Sequence, residues 1–164
     1  MECYSDLDIN MPALQFASHT TVEAFTELPI NADEKRKGGF LTIRDRERGH
    51  ILYTLLIGQV SHEKADKYQC LSWEKGGRLR SHMASEDKHL SSWQSRDPDR
   101  DYWGGAIVTK KYIVSFSGLP ELGDEAVSMI VAIRMYWMSK QEAERIARLS
   151  KNPFFVQLNS KVSS

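Results

Sequence analysis

Apolar positions repeat with two different periods along the chain, and the change of period separates predicted strands from predicted helices. The strands are predicted as two β-hairpins, built from residues 40–43 and 51–57 and from residues 103–109 and 112–117. A charged connector that carries Gly49 joins the first pair, and Lys110-Lys111 forms the turn of the second. Both connectors are polar, as turns between buried strands require.

Helical spacing of apolar residues predicts four helices, at residues 20–27, 61–80, 124–133 and 139–149. Ser61, Asp124 and Ser139 are expected to cap the last three, because short polar side chains accept hydrogen bonds from the free N–H groups. Gly76-Gly77 either ends the second helix or lets it pack closely on the sheet. Residues 1–18 lack a period and predict a loose arm, and the tail that follows Asn152-Pro153 is also expected to be loose.

The order of these elements predicts the fold class. Two hairpins form an antiparallel sheet, and the helices must cover its faces to bury their apolar sides. We therefore expect an α+β layered domain of the profilin-like, PAS or GAF type, with a central antiparallel sheet of two β-hairpins. No repeat, low-complexity tract or linker interrupts the sequence, so residues 1–164 are expected to form a single domain.

Composition and charge narrow the classes of partner. The chain has 164 residues with 41% hydrophobic and 27% charged residues, typical of one globular domain. Its 22 basic and 22 acidic residues give a net charge of zero. General affinity for nucleic acid or an anionic membrane is electrostatic, so neither partner is expected. Zero net charge also removes the repulsion that opposes self-association.

The expected compartment is the cytoplasm. The two cysteines, Cys3 and Cys70, are too few for a disulfide framework and are typical of a reducing environment. The N-terminus lacks the basic start and apolar run of a signal peptide. The longest apolar stretches, 51–60 and 126–133, are far shorter than the roughly 20 residues of a membrane-spanning helix.

Three segments carry a resemblance to a known family. The first strand pair is 41–58, with Asp45 and Gly49-His50 at its turn, and the helix after it begins Glu63-Lys64-Ala65. The most specific part is the series Gly104-Gly105-Ala106, Ser117-Gly118-Leu119-Pro120 and Asp124-Glu125-Ala126. In this order and spacing, residues 38–138 resemble the heme-degrading-domain family, also called the GlcG-like or HbpS-like family.

This resemblance implies a profilin-like domain that forms ring-like homo-oligomers. Some members of the family bind heme or iron, and catalysis is not a general property of the family. The helix and tail at 139–164 are an addition to the family pattern.

A small-molecule pocket is predicted at the second hairpin, lined by Trp103, Gly104, Gly105, Ser117 and Gly118. Glycines let the backbone approach a ligand closely. The alternative is that these glycines serve tight turns and close packing between strand and helix, with no ligand.

His82, Glu86 and His89 are candidate ligands for iron, zinc or heme. Their spacing of four and three residues places them on one face if the segment is helical, and two imidazoles with a carboxylate suit these metals. The alternative is a solvated polar loop.

Two hypotheses of function follow. The first is an oligomeric small-ligand-binding protein with heme as the first candidate ligand. The second is a non-catalytic adaptor that recruits a protein partner through its oligomer surface or C-terminal segment. Enzymatic activity is left open, because no base–nucleophile pair, nucleophile elbow or phosphate-binding loop motif is present.

Overall fold

The computed structural model describes residues 1–33 and 35–164, apart from the side chain of residue 7. Five α-helices and four strands occur in this part of the chain: α1 (Met11–Thr26), β1 (Lys37–Asp45), β2 (Ile51–Gln59), α2 (His62–Met83), β3 (Ala106–Val108), β4 (Tyr112–Ser117), α3 (Glu121–Arg134), α4 (Lys140–Ser150) and α5 (Phe155–Ser163). Short 3₁₀ helices lie at Asp6–Asp8, Ser92–Ser95 and Pro98–Arg100.

The strands form one antiparallel sheet in the order β2-β1-β4-β3. The two predicted hairpins are its outer pairs, and β1 joins them by pairing with β4 in the register Phe40↔Ser117 to Asp45↔Tyr112. The predicted α+β class with a central antiparallel sheet is confirmed. Because β1 and β4 are the inner strands, their side chains are buried on both faces.

Helices cover the sheet as separate layers. Successive residues of β4 point to opposite sides: Val114 belongs to the core formed with α1 and α3, whereas Ile113 packs with Leu79 of α2. Helix α2 contacts β1, β3 and β4 but not appreciably β2. The glycines Gly76 and Gly77 lie inside α2, so the close-packing alternative describes them correctly.

Three sequence predictions are wrong at the ends of elements. The expected loose arm at 1–18 contains the first half of α1, which begins at Met11 after Asn10 caps it by accepting from the Ala13 N–H at 3.1 Å. The expected loose tail forms α5, whose Phe155 and Leu158 are buried in the main core. Helix α3 begins at Glu121, so Asp124 lies within its first turn and is not its N-cap.

The segments without regular structure agree with their polar sequence. Residues 31–33 and 35–36 precede β1, and residue 34 lies outside the described part. Residues 84–91 link α2 to the 3₁₀ helix at Ser92–Ser95. Within the described residues, the helices are all too short or too polar to cross a bilayer.

Helix α3 ends in a left-handed turn at Tyr136. The Trp137 N–H donates to the Ala132 carbonyl at 2.9 Å and the Tyr136 N–H to that of Ile133 at 3.0 Å, which is the Schellman arrangement. Tyr136 has φ +61° and its side chain is 95% exposed. A bulky residue therefore occupies a position that favours glycine, with no burial to compensate.

We predict that Tyr136→Gly raises the free energy of unfolding by about 0.5 to 1 kcal/mol. A left-handed conformation costs a residue with a Cβ about 1–2 kcal/mol, and part of this gain is lost to the extra chain entropy of glycine. Urea denaturation measures the change. Tyr136→Ala is the matched control, since it keeps the Cβ and is expected to give no gain; equal stabilisation by both variants would contradict the explanation.

Candidate functional site

The residues of the predicted hairpin pocket lie close together but are packed against the protein itself. Gly104 and Gly105 are buried, and the Gly104 N–H donates to Glu121 Oε2 at 2.8 Å. Gly118, with φ +149°, lies against the backbone of Gly38. Ser117 is buried opposite Phe40. The backbone at these glycines therefore packs closely against other parts of the protein, as expected if they serve close packing and not a ligand.

Trp103 is half-buried beside this segment. Its indole N–H donates to Asp101 Oδ1 at 3.1 Å, and its carbonyl accepts from Arg78 Nη2 at 2.6 Å. Neither of the two cavities described below is lined by Trp103 or by Gly104, Gly105, Ser117 and Gly118. Ligand binding by these residues therefore stays a prediction.

A buried ion pair lies where the family-like motifs meet. Lys75 Nζ is 2.8 Å from both Asp124 Oδ2 and the Phe116 carbonyl oxygen, and both side chains are almost wholly buried. A Cβ at Gly105 would approach Lys75 Nζ to 2.8 Å, so glycine is needed there for space as well as for its φ of +130°. Burial raises the pKa of Asp124 to about 6, against the lowering effect of Lys75.

The neighbouring Glu125 is also buried and receives several hydrogen bonds. The Ser91 hydroxyl donates to Oε2 at 2.5 Å, and the Ser150 hydroxyl and the Asn152 amide donate to Oε1. Burial raises the pKa of Glu125, and these donors act in the opposite direction. The carboxyl joins α3 to the start of a 3₁₀ helix and to the end of α4, so its role is to hold three segments together.

His82 and His89 are adjacent, but the helix that was expected to align them with Glu86 ends at Met83. Their rings stack with centroids 4.7 Å apart and planes 15° from parallel. Burial, together with the charge of His82, lowers the pKa of His89. In near-parallel rings the nitrogen lone pairs do not converge on one point. Throughout the described residues, no group of three or more His, Cys, Asp or Glu side chains is arranged to hold a metal.

The main cavity is a cleft of about 1080 Å³ at the end of the sheet that carries the turns of both hairpins. Its walls are Asp45–Arg48 and His50 from the first turn, Lys110–Tyr112 from the second, Leu52, Tyr53, Met83, and Glu2–Asp6, Asp8 and Ile9 of the chain start. The volume is at the upper end of the range of pockets that enclose a small molecule. A second hollow of about 470 Å³ lies between α4 and α5 and is lined mainly by polar residues.

A chain of hydrogen bonds links the chain start to the first hairpin turn at the cleft. The Tyr4 hydroxyl donates to Asp45 Oδ2 and lies 3.1 Å from His50 Nδ1. Asp45 Oδ1 accepts from the backbone N–H groups of Glu47 and Arg48, which shapes the turn. Because the Tyr4 proton points to Asp45, His50 Nδ1 is the donor to the Tyr4 oxygen, and Nε2 keeps its lone pair.

The pKa directions agree with this arrangement. The hydrogen bond to Asp45 and burial raise the pKa of Tyr4. Burial would raise the pKa of Asp45, but the hydrogen bonds from Tyr4 and the turn backbone outweigh it and lower that pKa. Burial also raises the pKa values of Tyr53 and Tyr112. At neutral pH the Tyr4, Tyr53 and Tyr112 hydroxyls are therefore protonated and the Asp45 carboxyl is ionised.

Charge is unevenly distributed around the cleft. Cations come from the two turns, at Arg46, Arg48, Lys110 and Lys111. Most of the acids come from the chain start, where Glu2 pairs with Arg48 at 2.6 Å and Asp6 accepts from the Tyr53 hydroxyl at 3.4 Å. Without the chain start, four cations face two acids, Asp45 and Glu47, so the rest of the wall has a net positive charge.

Comparison with known proteins gives a limited likeness. No family model matches the chain, and no curated protein matches it. A solved structure, the Klebsiella pneumoniae protein ORFY of the family-model DUF336, is similar over 85% of this chain and 99% of that one, with 14% identity and a TM-score of 0.45.

Sequence reasoning missed both Lys75 and the cleft. The buried positions of α2 are Ser72, Lys75, Gly76 and Leu79, which have the spacing of a helix face turned to the core. That spacing was the signal that Lys75 is buried. The Tyr4–Asp45 contact joins residues 41 apart and left no local pattern.

We predict that Lys75→Met lowers the free energy of unfolding by about 3–5 kcal/mol, because it leaves Asp124 buried without its cation. Lys75→Met/Asp124→Asn is the matched control and should recover most of the loss, since the amide oxygen still accepts from Leu119 N–H. Urea denaturation at pH 7.5 compares the three proteins. A loss below about 1 kcal/mol in the single variant would contradict a stabilising role for the pair.

The loss of unfolding free energy in Lys75→Met should also depend on pH. Lys75 lowers the pKa of Asp124, so its removal raises that pKa above the present value of about 6. A carboxyl whose pKa is raised in the folded state stabilises the protein fully at a pH below its unfolded-state pKa. This stabilisation is lost as the pH rises through its folded-state pKa. The single variant should therefore approach the stability of the double variant at pH 5 and fall furthest below it at pH 8.

Proposed function

We propose that this protein binds a small molecule in the cleft at the turn end of the sheet. The observation that carries the proposal is the composition of the wall, which combines apolar and aromatic surface with four cationic side chains. Ile9, Leu52 and Met83 supply apolar surface, and the Tyr53 and Tyr112 hydroxyls supply donors. Such a wall suits a ligand with a flat apolar body and anionic groups at its edge.

Heme is the first candidate ligand, and the donor set of the cleft fits it. His, Met, Tyr and Cys are the side chains that ligate heme iron, and His50, Met83, Tyr4 and Cys3 all line the cleft. Arg46, Arg48, Lys110 and Lys111 are suitable partners for carboxylates. Bound heme would supply a redox-active iron. The resemblance seen in the sequence supports the same candidate.

His50 is the residue that we expect to contact the iron. With the chain start in place, its Nδ1 contacts the Tyr4 hydroxyl at 3.1 Å. Its Nε2 is therefore the nitrogen with a free lone pair. His82 and His89 are the alternative ligands, and they would have to leave their stacked arrangement to serve.

Absorbance titration with hemin tests this proposal. We expect a saturable Soret band from the wild type, the same band from His82→Ala/His89→Ala, and a shifted band with at least tenfold weaker binding from His50→Ala. A band lost only in the His82→Ala/His89→Ala variant would place the ligands at the stacked pair. Absence of saturable binding to the wild type would contradict heme as the ligand.

We also propose that the protein self-associates through β2. This strand forms one edge of the sheet and contains no charged residue and no proline, the features by which edge strands usually avoid pairing. Ile51 and Leu56 of β2 are 41% and 53% exposed. Trp73 of α2, which donates to Thr54 Oγ1 of β2 at 2.8 Å, is also 36% exposed. Two copies of β2 would meet without charge repulsion, and the occupant of this edge is a second copy of the chain.

We expect Leu56→Lys to shift the protein towards monomer by placing a charge at the paired edge. Light scattering coupled to size-exclusion chromatography at several concentrations measures the mass. Val156→Lys is the control, because Val156 is 72% exposed on α5, away from the edge. A wild type that is monomeric at all concentrations would contradict the proposal.

The adaptor hypothesis keeps one supporting observation, the fully exposed Tyr136 in its left-handed turn. The C-terminal segment itself is less suited to recruitment, since Phe155 and Leu158 are buried in the core. Truncation after Ser139 would therefore unfold the domain rather than test a partner. A cytoplasmic location is part of the proposal, supported by the exposed, unpaired thiols of Cys3 and Cys70.

A further inference from the structure

The chain start, residues 1–8, is held over the cleft by polar contacts. Glu2 pairs with Arg48 at 2.6 Å, Tyr4 bonds Asp45 and contacts the His50 ring edge-on at 5.7 Å, and Asp6 accepts from Tyr53. Each contact is with a side chain of the cleft wall. We refer to residues 1–8 as the N-terminal segment.

The N-terminal segment contributes little to the core. Each of its described side chains is exposed, with Tyr4 at 48% and the Glu2 side chain at 88%. The first buried residue is Ile9, at 3%, and Asn10 then caps α1. The segment can therefore leave the cleft by a rotation of the backbone before Ile9, which leaves Ile9 and α1 in place. Exposed ion pairs such as Glu2–Arg48 contribute little to stability, so losing this pair when the segment leaves costs little free energy.

The acids of the segment use the groups that an anionic ligand would need. Arg48 is engaged by the Glu2 carboxylate, and the Tyr53 hydroxyl is engaged by the Asp6 carboxylate. A ligand carboxylate that seeks either donor must replace the one already there. A ligand that takes both places on this wall would therefore need two carboxylates, as the segment has.

We propose that the N-terminal segment is a displaceable lid, and that its Glu2 and Asp6 carboxylates occupy the positions of two carboxylates of the ligand. The ligand class is a dicarboxylate with an apolar body. This inference rests on the proposed binding function of the cleft. It adds that ligand binding and the closed position of the segment exclude each other.

Competition between segment and ligand is tested in the full-length chain with protoporphyrin IX, which has two carboxylates and no metal. Glu2→Gln/Asp6→Asn removes the competing charges. We expect it to bind about three- to tenfold more tightly than the wild type, a change of the size that one exposed ion pair and one exposed hydrogen bond allow. Glu63→Gln/Asp66→Asn is the matched control, with the same charge change at exposed positions of α2, and should bind like the wild type.

Release of the segment is measured separately by NMR. On saturation with protoporphyrin IX, the backbone amide signals of residues 2–8 should sharpen and move to random-coil positions, while those of 45–53 shift as contacts of the ligand. The dimethyl ester of protoporphyrin IX lacks both carboxylates. It should neither release the segment nor discriminate between the Glu2→Gln/Asp6→Asn variant and its control.

The outcomes separate the two proposals. Saturable binding with shifts at 45–53, no affinity change in Glu2→Gln/Asp6→Asn and residues 2–8 still dispersed would overturn the lid and leave the binding function intact. Binding only by Glu2→Gln/Asp6→Asn would support a lid that closes tightly. Binding by none of the variants, or shifts confined to other parts of the chain, would overturn both.

Discussion

The buried contact between Lys75 and Asp124 is the constraint on which the arrangement of layers depends. Helices α2 and α3 lie on opposite faces of the sheet, and the ammonium group of one meets the carboxyl of the other beside Gly105. Neither charge is tolerated alone in such a place, so the two helices must meet there with the correct register. The same ammonium donates to the Phe116 carbonyl at 2.8 Å, which ties β4 to α2 as well. One pair thus positions three elements.

This constraint gives the sheet two unlike ends. At one end, the last residues of β4 and the first of β1 are packed by glycines, backbone contacts and the ion pair. At the other end, the two hairpin turns line the cleft, and Arg80 of α2 donates to the Arg46 and Glu47 carbonyls of the first turn. The first end is closely packed, whereas exposed polar groups at the second end can exchange hydrogen-bond partners at a small cost in free energy. The candidate site lies at the end where hydrogen bonds from Arg44, Arg46 and Arg80 hold the turns.

The sequence reveals the sheet better than the site. Both hairpins could be predicted because alternation and polar turns are local signals, whereas α1 was missed in part because Ser18 and Thr21 are buried on its apolar face. The motifs at Gly104-Gly105 and Asp124 were noticed, but their role became visible only when Lys75 was placed beside them. The cleft joins the chain start to turns more than 40 and 100 residues away, and such contacts leave no period to detect. Local pattern predicts elements, and long-range contacts decide what they form together.

The Glu125 carboxyl has a consequence for the order in which the chain can become native. Its partners include Ser91, 34 residues earlier, and Ser150 and Asn152, 25 and 27 residues later. During synthesis the α3 segment emerges from the ribosome before these later partners, and α5, which also belongs to the core, emerges after them. A nascent chain that buried Glu125 before these partners were available would leave its carboxyl without hydrogen-bond donors. We therefore expect the domain to stay unlocked on the ribosome and to close in one late, cooperative step.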